Sequence, residues 1–204
     1  MTPSSSRTSA SAAAGDGGPV GVDRCPRCLL QQRVCLCAEV PTIATRTRVV
    51  IVRHHLERFR SSNSGRLANL ALTNSEIIDH GGAGGPATLQ ELDGAWLLFP
   101  EGEPTPVCPS PPPKQLIVLD ATWSQARRMY RKLDALRGMP ILRLADAPVP
   151  AARLRNSPGE GRVSTIEAIA HALRLLEGDE PAAGLERLFA VAVERAQSMG
   201  RLIG

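Results

Sequence analysis

With 204 residues, 43% of them hydrophobic, the chain can build one domain with a real core, and at 3% aromatic content that core must be mostly Leu, Val, Ile and Ala. No run nears the roughly 18 apolar residues needed to span a bilayer, and no signal-peptide h-region is present, so a membrane role is excluded and a cytoplasmic location is expected. The formal net charge of +4 is modest, and its distribution says more: six arginines face Glu57 alone between Arg46 and Arg66, whereas acids outnumber arginines six to four from Glu167 onward. Such asymmetry suggests one basic face for a polyanion and a more acidic back.

Residues 1–22 are largely Ser, Ala and Gly, too poor in large apolar groups to offset their ordering entropy, and are expected to form a disordered tail. Then Cys25, Cys28, Cys35 and Cys37 make C-x2-C-x6-C-x-C. In a cytosolic chain such a cluster points to metal before disulfides. Four thiolates this close suit a tetrahedral structural zinc site within residues 23–42, with no coordination position open for a catalytic water. A redox-active C-x-x-C is the alternative reading. Cys108, far off among prolines, carries no expectation.

Residues 43–204 read as one α/β domain. The run Val49, Val50, Ile51, Val52 is the first core strand, and it delivers His54 through Leu67, in which Asn63, Ser64 and Gly65 start a helix over 66–72. Residues 75–78 are a short strand, and 81–86 a glycine-rich turn without the strand and helix that would make it a phosphate loop. Residues 95–99 form a buried strand ending in Leu98-Phe99-Pro100, and 103–113 a proline-rich loop. Gln115 to Leu119 are apolar without alternation, as in a central strand covered on both faces. Asp120 follows at its carboxyl end, where open α/β sheets place ligands. From Trp123 the stripe Trp123, Ala126, Tyr130, Leu133, Leu136 marks a helix ended by Gly138 and Pro140, with Arg127, Arg128, Arg131 and Lys132 off the stripe. Residues 139–144 are a further strand, followed by a Pro- and Gly-rich loop over 146–161 containing Leu154-Arg155. Ser164 and Glu167 form a capping box before Ile166, Ile169, Leu173 and Leu176, and a last helix spans 181–199.

Asp120-Ala121-Thr122-Trp123 resembles the D-x-T-W signature of the DTW-domain family. His54 to Leu67 is similar to its H-P-x-E-x-x-R-x-T-N-T-G-R-L segment, with His55 in place of Pro and Ser62 and Ser64 in place of Thr. Leu98-Phe99-Pro100 resembles its L-F-P segment, Arg162 to Ala168 its R-L-S-T-x-E-A block, and the family carries a comparable Cys cluster. Members are tRNA-uridine aminocarboxypropyltransferases of a SPOUT-like superfamily that use S-adenosylmethionine. The resemblance thus implies a parallel α/β sheet with a C-terminal trefoil knot. It also implies transfer of the 3-amino-3-carboxypropyl group of S-adenosylmethionine to N3 of a uridine in tRNA, leaving methylthioadenosine.

On that reading a uridine imide must lose its proton to become a nucleophile, and Asp120 is the expected general base. Loop position assigns S-adenosylmethionine to Leu98, Phe99, Pro100, Thr122, Trp123, Leu154, Arg155, Ser164, Thr165 and Glu167, with Trp123 either a stacking platform or a core residue. A tRNA backbone is assigned to Arg58, Arg60, Asn63, Arg66, Arg127, Arg128 and Arg131. Two other functions compete: an RNA methyltransferase using the same cosubstrate, because a fold does not fix chemistry, and a zinc-containing RNA-binding protein without catalysis.

Overall fold

The computed structural model describes residues 23–105, 107–145 and 163–198. The expected tail over 1–22 and the Leu154-Arg155 loop lie outside them. Five parallel strands form one sheet in the order β2-β1-β4-β3-β5: β1 (Arg48–His54), β2 (Ser75–His80), β3 (Ala95–Leu98), β4 (Gln115–Asp120) and β5 (Ile141–Leu142). The apolar runs of β1 and β4 do not alternate because both faces of these central strands are covered.

On one face Val49, Ile51, Leu116 and Val118 pack under α1 (Ser64–Ala71), α3 (Thr165–Glu177) and α4 (Asp179–Ser198). On the other, Val50, Val52, Leu97 and Ile117 meet Ala126 and Met129 of α2 (Trp123–Lys132). Among the described residues no helix is long and apolar enough to cross a membrane.

Several elements differ in extent from the sequence expectation; α1 and α4 each start two residues earlier than expected, at Ser64 and Asp179. α2 stops at Lys132, and Asp134–Leu136 continues as a single 3-10 turn that buries Leu136 beside Leu133. Its buried stripe is Ala126 and Met129, so Trp123 is not in the core. The strand expected over 139–144 pairs only at Ile141–Leu142, because beyond β3 its neighbour becomes the loop after Pro100: Arg143 donates its N–H to Thr105 Oγ1 at 3.3 Å and accepts from Thr105 N–H at 2.8 Å. β2 runs two residues further than expected, to His80.

The Cys-bearing segment shares the main core. Cys25, Cys28, Leu30 and Leu36 are buried with Leu188, Phe189 and Ala192 of α4. Arg195 of α4 donates to the carbonyl of Cys35 and pairs with Glu39.

Candidate active site

The parallel register sets Arg53 of β1 opposite Asp120 and carries β4 past the end of β3, so Asp120 stands at the sheet edge beneath the N-termini of two helices. Asn63, the N-cap of α1, uses both ends of its amide. Oδ1 accepts from Arg66 N–H at 2.8 Å, and Nδ2 donates to Asp120 Oδ2 at 2.5 Å. Thr165, the first residue of α3, donates its hydroxyl to Asp120 Oδ1 at 2.7 Å. The two helix starts also touch directly, Ile166 N–H pointing at Ser64 Oγ at 3.4 Å. Asp120 is 2% exposed and Asn63 3%. Burial pushes the Asp120 carboxyl above its ordinary range, against the hydrogen bonds of Thr165 and Asn63, which pull it down; the charge of Glu57 adds to the rise and that of Arg53 opposes it.

This closure explains Gly65. A Cβ there would stand 2.7 Å from Asp120 Oδ2 and 2.8 Å from its Cγ, so the first turn of α1 can approach the carboxylate only without a side chain. Gly65→Ala is expected to displace the carboxylate from Asn63 and to destabilise the fold by about 1–3 kcal/mol, the usual range for overpacking. Chemical denaturation at neutral pH reads the difference.

Thr165 also looks outward. It lines a cavity of about 230 Å³ at the carboxyl ends of the strands, walled by Leu98 at the end of β3 with Phe99 and Pro100 after it, Leu119 of β4, Ala121 and Trp123 around the start of α2, Leu144 and Ala145 after β5, and Val163, Ser164 and Ala168 at α3. Of the residues assigned to the cosubstrate, Leu98, Phe99, Pro100, Trp123, Ser164 and Thr165 lie on this wall. Two do not. Thr122 caps α2, with its N–H and hydroxyl both given to Gln125 Oε1 at 2.9 and 2.6 Å. Glu167 closes the α3 capping box, accepting from Ser164 N–H at 2.8 Å and Ser164 Oγ at 2.6 Å, which spends donors that would otherwise face a ligand. Leu154 and Arg155 lie outside the described residues, though Ala145 and Val163, on either side of that undescribed segment, are on the wall.

Among the described residues of the wall one is charged, Arg143, and it was not among the sequence candidates. Its Nη1 donates to Gly102 O at 2.6 Å. The signal was one basic residue interrupting an otherwise apolar run near a strand's carboxyl end.

Asp120 therefore has the cavity on one side, reached through Thr165, and the β1–α1 connection on the other. Among the residues assigned to RNA, Arg60, Arg127, Arg128 and Arg131 are exposed and Arg58 is half-buried. Asn63 and Arg66 make internal ties: Asn63 is buried and bonded as described, and the half-buried Arg66 donates to the Arg58 carbonyl. Beneath them Arg53 is clamped by Asp79 at 2.7 and 3.1 Å, and Asp79 also holds Arg58 at 3.6 Å. His55, which replaces the family's Pro, packs on the glycine turn, where a Cβ at Gly81 or Gly82 would come within 3.0 Å of its ring.

The four cysteine Sγ atoms lie within 4.8 Å of one another, with Cys25 to Cys37 at 3.6 Å and Cys28 to Cys35 at 3.7 Å. A tetrahedral ion with metal–sulfur bonds near 2.3 Å requires sulfur–sulfur edges of about 3.8 Å, so the donor set fits zinc in kind and spacing. The knuckle that presents Cys25 and Cys28 is a turn closed by Leu29 N–H to Cys25 O at 2.9 Å and pinned by Arg24 Nη1 to Leu29 O at 2.8 Å.

The DTW domain profile matches residues 22–197. Among curated proteins, the tRNA-uridine aminocarboxypropyltransferase 2 of Drosophila melanogaster is 30% identical over 168 residues, covering 76% of this chain and 67% of the relative. The tRNA-uridine aminocarboxypropyltransferase A of Arabidopsis thaliana is 28% identical, over 76% of this chain and 73% of its own. Among solved structures, the SAM-dependent rRNA:acp-transferase of Vulcanisaeta distributa superposes with a TM-score of 0.50 at 21% identity, covering 77% of this chain and 80% of that one, a likeness of fold. The profile match runs across both the cysteine cluster and the Asp120 site, and the chain belongs to the DTW-domain family.

Proposed function

We propose that the chain is an S-adenosylmethionine-dependent tRNA-uridine aminocarboxypropyltransferase, acting at N3 of a uridine. The observation that carries this reading is the contact of Thr165 with both the cavity and the Asp120 carboxylate, in a chain whose curated relatives bear that name.

The largely apolar wall suits adenosine, and Arg143 supplies a positive charge for the carboxylate of the transferred arm. The uridine base enters beside Thr165. As N3 attacks the methylene carbon next to sulfur, the C–S bond breaks with its electron pair left on sulfur. The new N–C bond forms, and neutral methylthioadenosine departs. The N3 proton passes to Thr165 Oγ as that hydroxyl gives its own proton to Asp120 Oδ1. Asp120 is thus the general base acting through a threonine, and the burial that raises its carboxyl makes it a better proton acceptor. Selecting the methylene over the exposed methyl is a matter of orientation, worth several kcal/mol in effective concentration.

Zinc at Cys25, Cys28, Cys35 and Cys37 is structural in this reading, because four protein ligands leave no site for water. The exposed Arg60, Arg127, Arg128 and Arg131 contact the tRNA backbone together with Arg58. A C-terminal trefoil knot and a cytoplasmic location belong to the same reading, the knot as what the family resemblance implies.

The co-product tests the reaction. Incubated with tRNA and S-adenosylmethionine, the protein is expected to release methylthioadenosine, resolved by chromatography. Release of S-adenosylhomocysteine would instead assign methyl transfer, and neither product with retained tRNA binding would leave a non-catalytic binder.

A further inference from the structure

Three large hydrophobic side chains are exposed among the described residues, and two of them, Leu56 at 54% and Phe59 at 49%, sit in the β1–α1 connection. In a chain with three Phe, two Trp and one Tyr, leaving a Phe half in water at the edge that carries Asp120 is an outlay the core does not explain. The loop is not slack. Arg58, Arg60 and Asn63 donate backbone N–H groups to His55 O, Glu57 O and Arg60 O at 3.2 Å each. Arg60 Nε reaches Leu56 O at 3.3 Å, and Glu57 is buried beneath. Arg58 is held by Asp79 and lies over the Phe59 ring, 5.2 Å from its centroid. Two apolar side chains are therefore presented outward on a braced loop, between two cations.

Resting on the function proposed above, we infer that Phe59, with Leu56 beside it, is the platform on which an unstacked RNA base next to the reacting uridine stacks while its phosphates lie against Arg58 and Arg60. The charge complementarity selects the occupant: an aromatic face flanked by arginines is the arrangement that binds single-stranded nucleic acid, the ring taking a base and the cations its backbone. The stacked base is a neighbour and not the target, because Phe59 is four residues along the loop from Asn63, which itself reaches Asp120 on the side away from the cavity. A uridine must leave its stack to react, and holding the next base on Phe59 keeps the strand open.

The test is equilibrium binding of tRNA without S-adenosylmethionine, over a salt series, to the wild-type chain and to Phe59→Ala, Phe59→Leu and Phe59→Trp. Phe59→Ala and Phe59→Leu are expected to bind about tenfold more weakly, within the range for loss of one base stack, with Phe59→Trp restoring affinity. The slope of log affinity against log salt is expected to stay at its wild-type value for all three, because phosphate contacts are kept, and to become shallower in Arg60→Ala. Wild-type affinity in Phe59→Ala would overturn the inference. So would full rescue by Leu, which supplies apolar area without a ring, or a change of oligomeric state on losing Phe59, which would assign the patch to contact between copies. Methylthioadenosine release is scored separately, so a failed platform and a failed reaction are told apart.

Discussion

Asp120→Asn is expected to lower turnover about 100-fold or more, the scale of a lost general base, while tRNA affinity stays at its wild-type value. The carboxylate accepts from Thr165 and Asn63 at once. An amide of the same shape has one acceptor oxygen and one NH2, so it can keep only one of those bonds as acceptor. If its oxygen stays on Asn63, its N–H groups turn to Thr165, whose hydroxyl must then accept and can no longer hand on a proton. Thr165→Val is expected to match this loss and Thr165→Ser to keep most of the activity. Burial raises the Asp120 carboxyl, so its ionisation costs folding free energy. The cost is absent below the ordinary value near pH 4, grows as pH rises towards the folded value, and is constant above it. Relative to the wild type, Asp120→Asn should therefore be least stable in acid and improve towards neutral pH, measured by denaturation at both ends.

The largest effect on stability is expected from the cysteine cluster. The purified protein should carry about one equivalent of zinc, and replacing Cys25 and Cys28 by serine should abolish it. Structural zinc contributes on the order of 10 kcal/mol or more to folding in isolated fingers. Here part of that is shared with the main core, because Cys25, Cys28, Leu30 and Leu36 lie against α4. Loss of the ion should therefore loosen the anchor of Arg195 on Cys35 and Glu39 as well as melt residues 23–42, giving a large drop in thermal midpoint. Elemental analysis finding no metal in a folded protein would remove the zinc assignment.

The sheet was legible because its central strands are buried on both faces, which leaves β1 and β4 as unbroken apolar runs. β5 looked longer than it is, since nothing in 139–144 reveals that Thr105 takes over pairing from β3. The position of Asp120 at a strand end could be read from its neighbours and from the D-x-T-W resemblance. Its closure could not, because its two partners lie 57 and 45 residues away and meet it only through the packing of α1 and α3. The same long-range packing ties Asn63 to Asp120, and Arg66 is tied locally to the Arg58 carbonyl. Arg143 was hidden because one charge in an apolar run does not announce the cavity that forms around it.

Which carbon of the sulfonium reaches the RNA separates aminocarboxypropyl transfer from methyl transfer. Two reactions with tRNA decide it, one with S-adenosylmethionine labelled on its methyl group and one with the label on the carboxypropyl carbons. Carboxypropyl label is expected in a uridine of the recovered tRNA, with none from the methyl; methyl label in the RNA would instead assign methyl transfer and overturn the proposed reaction.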